Sequence, residues 1–228
     1  MLALRFSTED GCSLEGELRP ADGEERGSAV LCHAHPRFGG SKDHPLLWAV
    51  RNELAGRELS VLGFNFRGTM RSGGTHGGGR PEVKDVAAAI ACVRQRSVPP
   101  TIVVGWSFGA SVALRQALVD ERVAALALIG FPLDHDVELP PMPSPAELRR
   151  FRRPVLLLSG EHDAYSPPAA LAELADLFPN AELSIVPGTQ HSLWRHERAA
   201  AELVGDFAER VLAAHAERGA QEPGDPDR

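Results

Sequence analysis

The chain has 228 residues, of which 43% are hydrophobic, so it is long enough to bury one full core without metals or disulfides. One domain is therefore expected. Its 31 acidic and 24 basic side chains give a formal net charge of −7, and the two signs are mixed along the sequence without a long basic stripe. This balance argues against nucleic acid as a partner.

The N-terminal segment reaches Glu9 and Asp10 after a very short apolar stretch, which excludes the apolar core of a signal peptide. No segment of the sequence approaches the roughly 20 apolar residues that span a bilayer. We therefore expect a cytoplasmic protein with no membrane partner. Cys12, Cys32 and Cys92 form no close pair in the sequence, so they are predicted to be reduced structural thiols.

The order of predicted elements begins with a hairpin and continues as strands alternating with helices. Apolar and polar residues alternate over residues 2–6 and again after the turn signal Asp10-Gly11, which predicts two antiparallel strands. Asp43 is a candidate N-cap for the first helix. The later predicted strands cover residues 29–33, 61–68, 101–105, 123–130, 154–160 and 181–188, and the predicted helices cover residues 43–59, 81–96, 108–119, 167–178 and 193–216.

This alternation predicts an α/β fold with a mainly parallel central sheet and helices on both faces. In such sheets the ligand site lies beyond the C-terminal ends of the strands. Residues 1–216 are predicted to form one domain, and the polar, Pro- and Gly-containing residues 217–228 a disordered tail. The segment 131–153 is too short and too rich in proline to hold a cap domain.

The clearest candidate for chemistry is Gly-Trp-Ser-Phe-Gly at residues 105–109. It follows directly on an apolar strand and precedes a helical segment, as a strand-to-helix nucleophile elbow requires. Ser107 is then expected at the tip of a tight turn, with the N–H of Phe108 directed at a developing oxyanion. The competing interpretation is a chance match in a chain with 22 glycines. The flanking strand and helix favour Ser107 as a nucleophile.

Two further side chains come directly after predicted strands, in the order Ser, Asp, His that this kind of fold uses. They are Asp163 and His191. Because a serine hydroxyl is a weak nucleophile, His191 is predicted to take its proton and Asp163 to orient the imidazole. Asp163 alternatively serves as a turn or N-cap residue. Asp134 is a rival for the acid, and His196 is a weaker rival for the base.

The loop His-Ala-His-Pro-Arg-Phe-Gly-Gly, residues 33–40, follows the first predicted parallel strand. Its alignment with the His-Gly start of oxyanion loops makes the backbone N–H of His35 the second oxyanion donor, with Arg37 or Phe38 as alternatives in a wider turn. His33 and His35 also raise the alternative of a metal-dependent hydrolase, since imidazole is a common ligand. No third ligand accompanies them, so no metal site is predicted.

Taken together, these segments resemble the α/β-hydrolase superfamily, and within it small lidless proteins with a His-Pro-His-Pro-x-x-Gly-Gly loop and a Phe-Asn-Phe-Arg-Gly strand end. The resemblance rests on HAHPRFGG, FNFRGTMRSGG, GWSFG, GEHD and GTQH, and it runs from about residue 2 to residue 216. Ala34 stands where the loop pattern has proline, and Met70 and Arg71 interrupt the usual turn. The resemblance implies a Ser-His-Asp esterase, thioesterase or peptidase-like activity without a cofactor.

The resulting hypothesis is a serine hydrolase that cleaves an ester, thioester or related acyl bond of a small molecule through an acyl-enzyme. Without a cap domain the site is predicted to be shallow and open. Phe38, Trp106 and Phe131 are candidates for its apolar wall, with core packing as the alternative for each. A non-catalytic interaction protein on the same fold is the main rival, because fold alone does not establish activity.

Overall fold

One eight-stranded sheet forms the centre of the computed structural model, which describes residues 1–133 and 138–221. Along the sheet the strands lie in the order β1-β2-β4-β3-β5-β6-β7-β8. The strands are β1 (Leu2–Ser7), β2 (Ser13–Arg19), β3 (Gly27–Cys32), β4 (Leu59–Phe64), β5 (Thr101–Trp106), β6 (Val123–Ile129), β7 (Val155–Gly160) and β8 (Ala181–Val186). The helices are α1 (Pro45–Gly56), α2 (Glu82–Arg94), α3 (Phe108–Ala117), α4 (Pro145–Arg150), α5 (Pro168–Ala175) and α6 (Glu197–Gln221).

The predicted combination of an antiparallel N-terminal pair and a parallel sheet is confirmed. Strands β1 and β2 pair antiparallel, in a register that places Leu2 opposite Leu18 and Ser7 opposite Ser13. Strand β2 joins β4 in antiparallel fashion, and β3 to β8 are parallel to one another. Because all the parallel strands point the same way, the loops that follow them meet at one edge of the sheet.

Helices cover both faces of the sheet, which explains why the central strands are apolar without alternation. Residues that alternate along one strand enter opposite cores: Val103 packs with α2 and α3, whereas Val104 packs with α1 and α6. All six residues of β3, β4, β5 and β7 are buried. Packing in these two cores fixes the positions and directions of the strand ends that carry the candidate site.

Several boundaries differ from the sequence predictions. His44, rather than Asp43, caps α1, and its Nδ1 accepts a hydrogen bond from the N–H of Leu46 at 3.3 Å. The last helix begins at Glu197 instead of residue 193, because Leu193 and Arg195 have left-handed φ angles of 53° and 65° that an α-helix does not accommodate.

The last helix also ends later than predicted, since α6 continues to Gln221 and takes up the first five residues of the expected tail. Residues 222–228, the rest of that predicted tail, lie outside the described residues. The short helix α4, with a capping box formed by Ser144 and Glu147, was not predicted. Within residues 1–133 and 138–221, no helix combines the length and apolar character that a membrane crossing needs.

The three cysteines are unpaired, as expected. Cys32 and Cys92 are buried, and Cys12 donates a hydrogen bond from its Sγ to the carbonyl of Gly73 at 3.2 Å. Burial raises the pKa of the Cys92 thiol and keeps it in the protonated form. These thiols therefore behave as packing groups.

Candidate active site

Ser107 lies between the end of β5 and the start of α3, in the tight turn that the sequence predicts. Its φ and ψ angles are 54° and −118°, and its N–H donates to the carbonyl of Ile129 at 2.8 Å. The flanking glycines permit this close turn. A Cβ on Gly105 would lie 2.5 Å from the carbonyl oxygen of Gly109, and a Cβ on Gly109 would lie 2.2 Å from the carbonyl oxygen of Cys32. The strained serine is thereby held at the C-terminal edge of the sheet.

The structure brings Ser107, His191 and Asp163 into one hydrogen-bonded chain. Nε2 of His191 lies 2.9 Å from Oγ of Ser107, and its Nδ1 lies 2.8 Å from Oδ2 of Asp163. Asp163 comes from the loop after β7 and His191 from the loop after β8. Oδ2 of Asp163 can only accept when ionised, so Nδ1 of His191 carries the proton and Nε2 offers a lone pair to the Ser107 hydroxyl.

The surroundings of Asp163 keep this carboxylate ionised. Burial alone would raise its pKa, but hydrogen bonds from His191, Ser159 and the Ser166 N–H outweigh that effect and hold the pKa below its usual value. The Ser159 hydroxyl donates to Oδ2 at 2.9 Å, while the N–H groups of Tyr165 and Ser166 donate to Oδ1 at 2.9 and 3.0 Å. Asp163 therefore presents a fixed negative charge to the imidazole.

Gly130 is a site residue that the sequence reasoning missed. It follows β6 with a left-handed φ of 53°, and a Cβ there would lie 3.0 Å from Cε1 and 3.1 Å from Nδ1 of His191. The same Cβ would lie 3.5 Å from Oδ2 of Asp163. The sequence shows only that Gly130 ends a predicted strand. It does not show that Gly130 lies beside the loops that carry His191 and Asp163.

The two rivals for the triad positions have different outcomes. Asp134, the alternative acid, lies outside the described residues. His196, the alternative base, contacts the carbonyl of Trp194 through its Nδ1 at 3.1 Å and precedes α6. The hydrogen bonds of Ser107 and Asp163 given above go to His191 and not to His196.

The loop after β3 runs beside Ser107, with a short 3₁₀ turn over Pro36–Phe38. The carbonyl of His35 accepts hydrogen bonds from the N–H groups of Phe38 and Gly40 at 3.0 and 3.2 Å, which closes the turn. Within residues 1–133 and 138–221, neither the N–H of His35 nor that of Phe108 donates a hydrogen bond. The His35 and Phe108 rings lie 5.1 Å apart, so the two side chains adjoin each other in the site.

His33 is fully buried, and both of its ring nitrogens are engaged. Nδ1 lies 2.7 Å from the carbonyl of Ala34, and Nε2 lies 3.0 Å from the N–H of Phe66, which can only donate. His33 is therefore the neutral tautomer with its proton on Nδ1, and burial lowers its pKa to about 4. The imidazole has no lone pair left for a metal ion, which argues against the alternative that pairs His33 with His35.

The turn after β4 is held by a network of ion pairs and hydrogen bonds. The guanidinium of Arg67 contacts Asp85 at 2.6 Å and Asp10 at 3.0 Å, while the Arg67 N–H donates to the Asp85 carboxylate at 2.9 Å. The hydroxyl of Ser72 donates to the carbonyl of Asn65 at 2.7 Å. This network ties the N-terminal hairpin and α2 to the strand that supports the site.

A cavity of about 550 Å³ opens above Ser107 and His191. Phe38 and Trp106, two of the three candidates for an apolar wall, line it. Phe131 does not line it, because its ring packs in the core beside α2 and α3 with 2% of its surface exposed. Phe131 instead borders a separate cavity of about 230 Å³.

Two lining residues, His44 and Tyr165, were not predicted. The His44 ring lies 4.2 Å from the Trp106 ring, and the Tyr165 ring lies 4.9 Å from that of His191. Both belong to loops that the sequence places far from Ser107, so only the tertiary fold brings them to the cavity. The remaining lining residues are Ala34, His35, Phe108, Pro132, Leu139 and Ser192.

A mainly parallel sheet with an antiparallel first pair, and a serine at a strand-to-helix elbow, together define the α/β serine hydrolase fold. The chain belongs to the alpha/beta hydrolase domain family, whose family model matches residues 27–217. The finer likeness to proteins with a His-Pro-His-Pro-x-x-Gly-Gly loop stays a prediction.

Solved structures of other proteins share this fold. An alpha-beta serine hydrolase homologue from Coxiella burnetii is 23% identical, with a TM-score of 0.79 over 90% of this chain and 96% of that one. A serine hydrolase without a lid from Xanthomonas campestris is 23% identical, with a TM-score of 0.77 and coverage of 92% and 94%. An esterase from Pyrococcus furiosus is 20% identical, with a TM-score of 0.77 and coverage of 92% of both chains. At these identities the likeness concerns the fold.

Proposed function

We propose that this chain is a serine hydrolase that cleaves an ester-type acyl bond of a small molecule, with Ser107 as nucleophile, His191 as general base and Asp163 as the orienting acid. The observation that carries the proposal is the continuous hydrogen-bonded chain from Ser107 Oγ through the imidazole to the Asp163 carboxylate, with separations of 2.9 and 2.8 Å. Both distances lie within the reach required for proton transfer. The name of the Pyrococcus furiosus esterase favours esters over other acyl compounds.

In the acylation step, Oγ of Ser107 attacks the carbonyl carbon while its proton moves to Nε2 of His191. The tetrahedral intermediate then collapses, the bond to the leaving alcohol breaks, and the imidazolium donates its proton to that alcohol. The product is an acyl-Ser107 ester. Asp163 stays ionised throughout, and its charge stabilises the transient imidazolium.

The negatively charged oxygen of the tetrahedral intermediate needs hydrogen-bond donors. We assign this role to the backbone N–H groups of His35 and Phe108. Two features support the assignment: neither group donates elsewhere in the described part of the chain, and both residues line the cavity. The N–H of Phe108 also belongs to the first turn of α3, where the partial positive charge of the helix adds to the effect. Losing one such donor typically lowers turnover by about 100- to 1,000-fold.

Deacylation repeats the chemistry with water as the nucleophile. His191 removes a proton from the water, hydroxide oxygen attacks the acyl carbon, and the proton returns to Oγ of Ser107 as the acid is released. The cavity opens to solvent beside His191, whose side chain retains 22% of its exposure. Water therefore reaches the base without a domain movement.

Labelling with a fluorophosphonate probe, together with turnover of short aryl esters, tests this proposal. Wild type is expected to react at Ser107 and to hydrolyse the esters, and Ser107→Ala is expected to lose both properties while keeping its thermal unfolding midpoint. Ser111→Ala serves as the control, since Ser111 lies one helical turn away on α3 outside the cavity above Ser107. Folded wild-type protein that neither labels nor turns over would support the non-catalytic interaction protein instead.

A further inference from the structure

The chemistry of the cavity walls narrows the class of ester that fits the site. The largest lining groups are the aromatic rings of Phe38, Trp106, Phe108 and Tyr165. Among the lining residues that the structure describes, none is Asp, Glu, Lys or Arg. The volume of about 550 Å³ lies within the range of pockets that bind small organic molecules.

Two of these rings are unusually accessible. Phe38 is 74% exposed and Tyr165 is 51% exposed, although each is a large apolar group. Phe38 extends from the 3₁₀ turn beside His35, and the Tyr165 ring faces the imidazole of His191 at 4.9 Å. One ring thus comes from the loop proposed to hold the oxyanion, and the other lies beside the proposed base. Both rings line the cavity above Ser107 and have exposed surface available to a bound group.

Two histidines of the cavity wall, His35 and His44, have lowered pKa values. Burial lowers the pKa of His35 to about 4, and nearby His76 and Arg37 act in the same direction. Burial also lowers the pKa of His44, whose ring packs against Trp106. A charged substituent in the cavity would give up part of its hydration without gaining an opposite charge from any described lining residue.

From this geometry we infer that the site takes uncharged esters that carry an aromatic group, with the ring packed against Phe38 and Tyr165. The inference rests on the proposed function for the position of the ester carbonyl over Ser107. Aromatic pairs gain free energy beyond the area they bury, so an aryl ester is favoured over a saturated ester of the same size. An anionic ester is expected to be the poorer substrate, because none of the described lining residues carries an opposite charge.

Three matched substrates test the inference: the ethyl esters of phenylpropanoic, cyclohexylpropanoic and carboxyphenylpropanoic acid. We expect kcat/KM for the phenyl ester to exceed that for the cyclohexyl ester by about 2- to 10-fold. We expect the carboxylate to lower kcat/KM by about 10-fold, because the charge meets no opposite charge on the described walls but keeps part of its hydration in an open cavity. Equal values for the phenyl and cyclohexyl esters, or rapid hydrolysis of the carboxylate, would overturn the inference.

Variants locate the preference within the cavity. Phe38→Leu and Tyr165→Leu are each expected to reduce the ratio of phenyl to cyclohexyl kcat/KM, whereas Trp48→Leu is expected to preserve it. Trp48 is the matched control because it is 57% exposed on α1 and does not line the cavity. Phe38→Arg is expected to improve the carboxylate ester relative to the phenyl ester by about 10-fold, since it places a positive charge on the lining of the cavity itself. An unchanged ratio in both leucine variants would contradict the assigned rings.

A binding measurement separates this inference from the proposed function. Calorimetric titration of Ser107→Ala with the same three esters is expected to give the tightest binding for the phenyl ester and the weakest for the carboxylate. Fluorophosphonate labelling of wild type reports the nucleophile independently. Labelling without an aryl preference refutes the substrate class alone, whereas an aryl preference in binding without labelling refutes the proposed catalysis alone.

Discussion

Replacing Gly130 with alanine perturbs two properties that can be measured separately, stability and turnover. The left-handed φ of 53° costs an alanine about 1–2 kcal/mol, which corresponds to about 2–8 °C in the unfolding midpoint of a chain of this size. The new Cβ would also lie 3.0–3.1 Å from the imidazole of His191, tighter than the 3.4 Å at which ordinary contact begins. The ring must therefore shift by about 0.4 Å, away from its present position against Ser107.

The expected loss of turnover follows from the size of that shift. A misplacement of about 1 Å costs on the order of 100-fold in rate, so 0.4 Å predicts a loss of about 5- to 10-fold in kcat. Gly11→Ala is the matched control. Gly11 has a φ of 80°, and a Cβ there would meet nothing within 4 Å. It is expected to lower stability in the same way and to leave kcat at the wild-type value.

Thermal unfolding and steady-state turnover of a short aryl ester measure the two effects in both variants. The reasoning is refuted if Gly130→Ala keeps full kcat, because the contact with His191 then has no influence on catalysis. It is equally refuted if Gly11→Ala loses as much kcat as Gly130→Ala, since backbone strain alone would account for the loss. A crystal structure of Gly130→Ala would show directly whether Nε2 has moved from Ser107.

Three further predictions concern charge. Asp163→Asn is expected to lower kcat by about 10⁴-fold in the ester assay with little change in KM, because an amide stabilises the wrong imidazole tautomer. His33 has a pKa of about 4 in the folded chain and about 6.5 in the unfolded chain, so the unfolded chain binds the proton first as the pH falls. In urea titrations the free energy of unfolding should therefore be at its full value above pH 6.5 and fall by about 2–3 kcal/mol towards pH 4. His33→Gln should show a smaller fall. Arg67→Met should cost about 3–5 kcal/mol in the same titration, since it leaves the buried Asp85 carboxylate unpaired.

The fold was predictable because its signals are local. Continuous apolar runs such as 101–105 and 154–160 indicate strands covered on both faces, and their alternation with helical periodicity leaves a parallel sheet as the consistent arrangement. The rule that ligand sites lie at the C-terminal strand ends then selects Ser107, Asp163 and His191 from many serines, acids and histidines. Their approach within hydrogen-bonding distance agrees with that selection, while their catalytic roles stay predictions.

What the sequence did not reveal depends on contacts between distant segments. Phe131 is an apolar residue just after a strand, and whether its ring enters the core or the cavity is decided by the packing of α2 and α3. Tyr165 reaches the cavity because its own N–H is held by the Asp163 carboxylate at 2.9 Å, a bond that no local pattern indicates. The start of α6 was placed too early because helical periodicity continues through Leu193, whose backbone is left-handed.

The same long-range contacts explain why the three proposed catalytic side chains meet at all. Each comes from a different loop, so the loops must approach more closely than side chains normally allow. A Cβ on Gly109 would lie 2.2 Å from a backbone oxygen of β3, the strand before the loop proposed to hold the oxyanion, and a Cβ on Gly160 would lie 2.5 Å from the carbonyl oxygen of Thr189. Gly130, which has no Cβ, likewise leaves room for the imidazole ring of His191. The glycines thus set the distances between neighbouring loops, and the geometry from Ser107 to the carboxylate depends on backbone contacts as much as on the three side chains themselves.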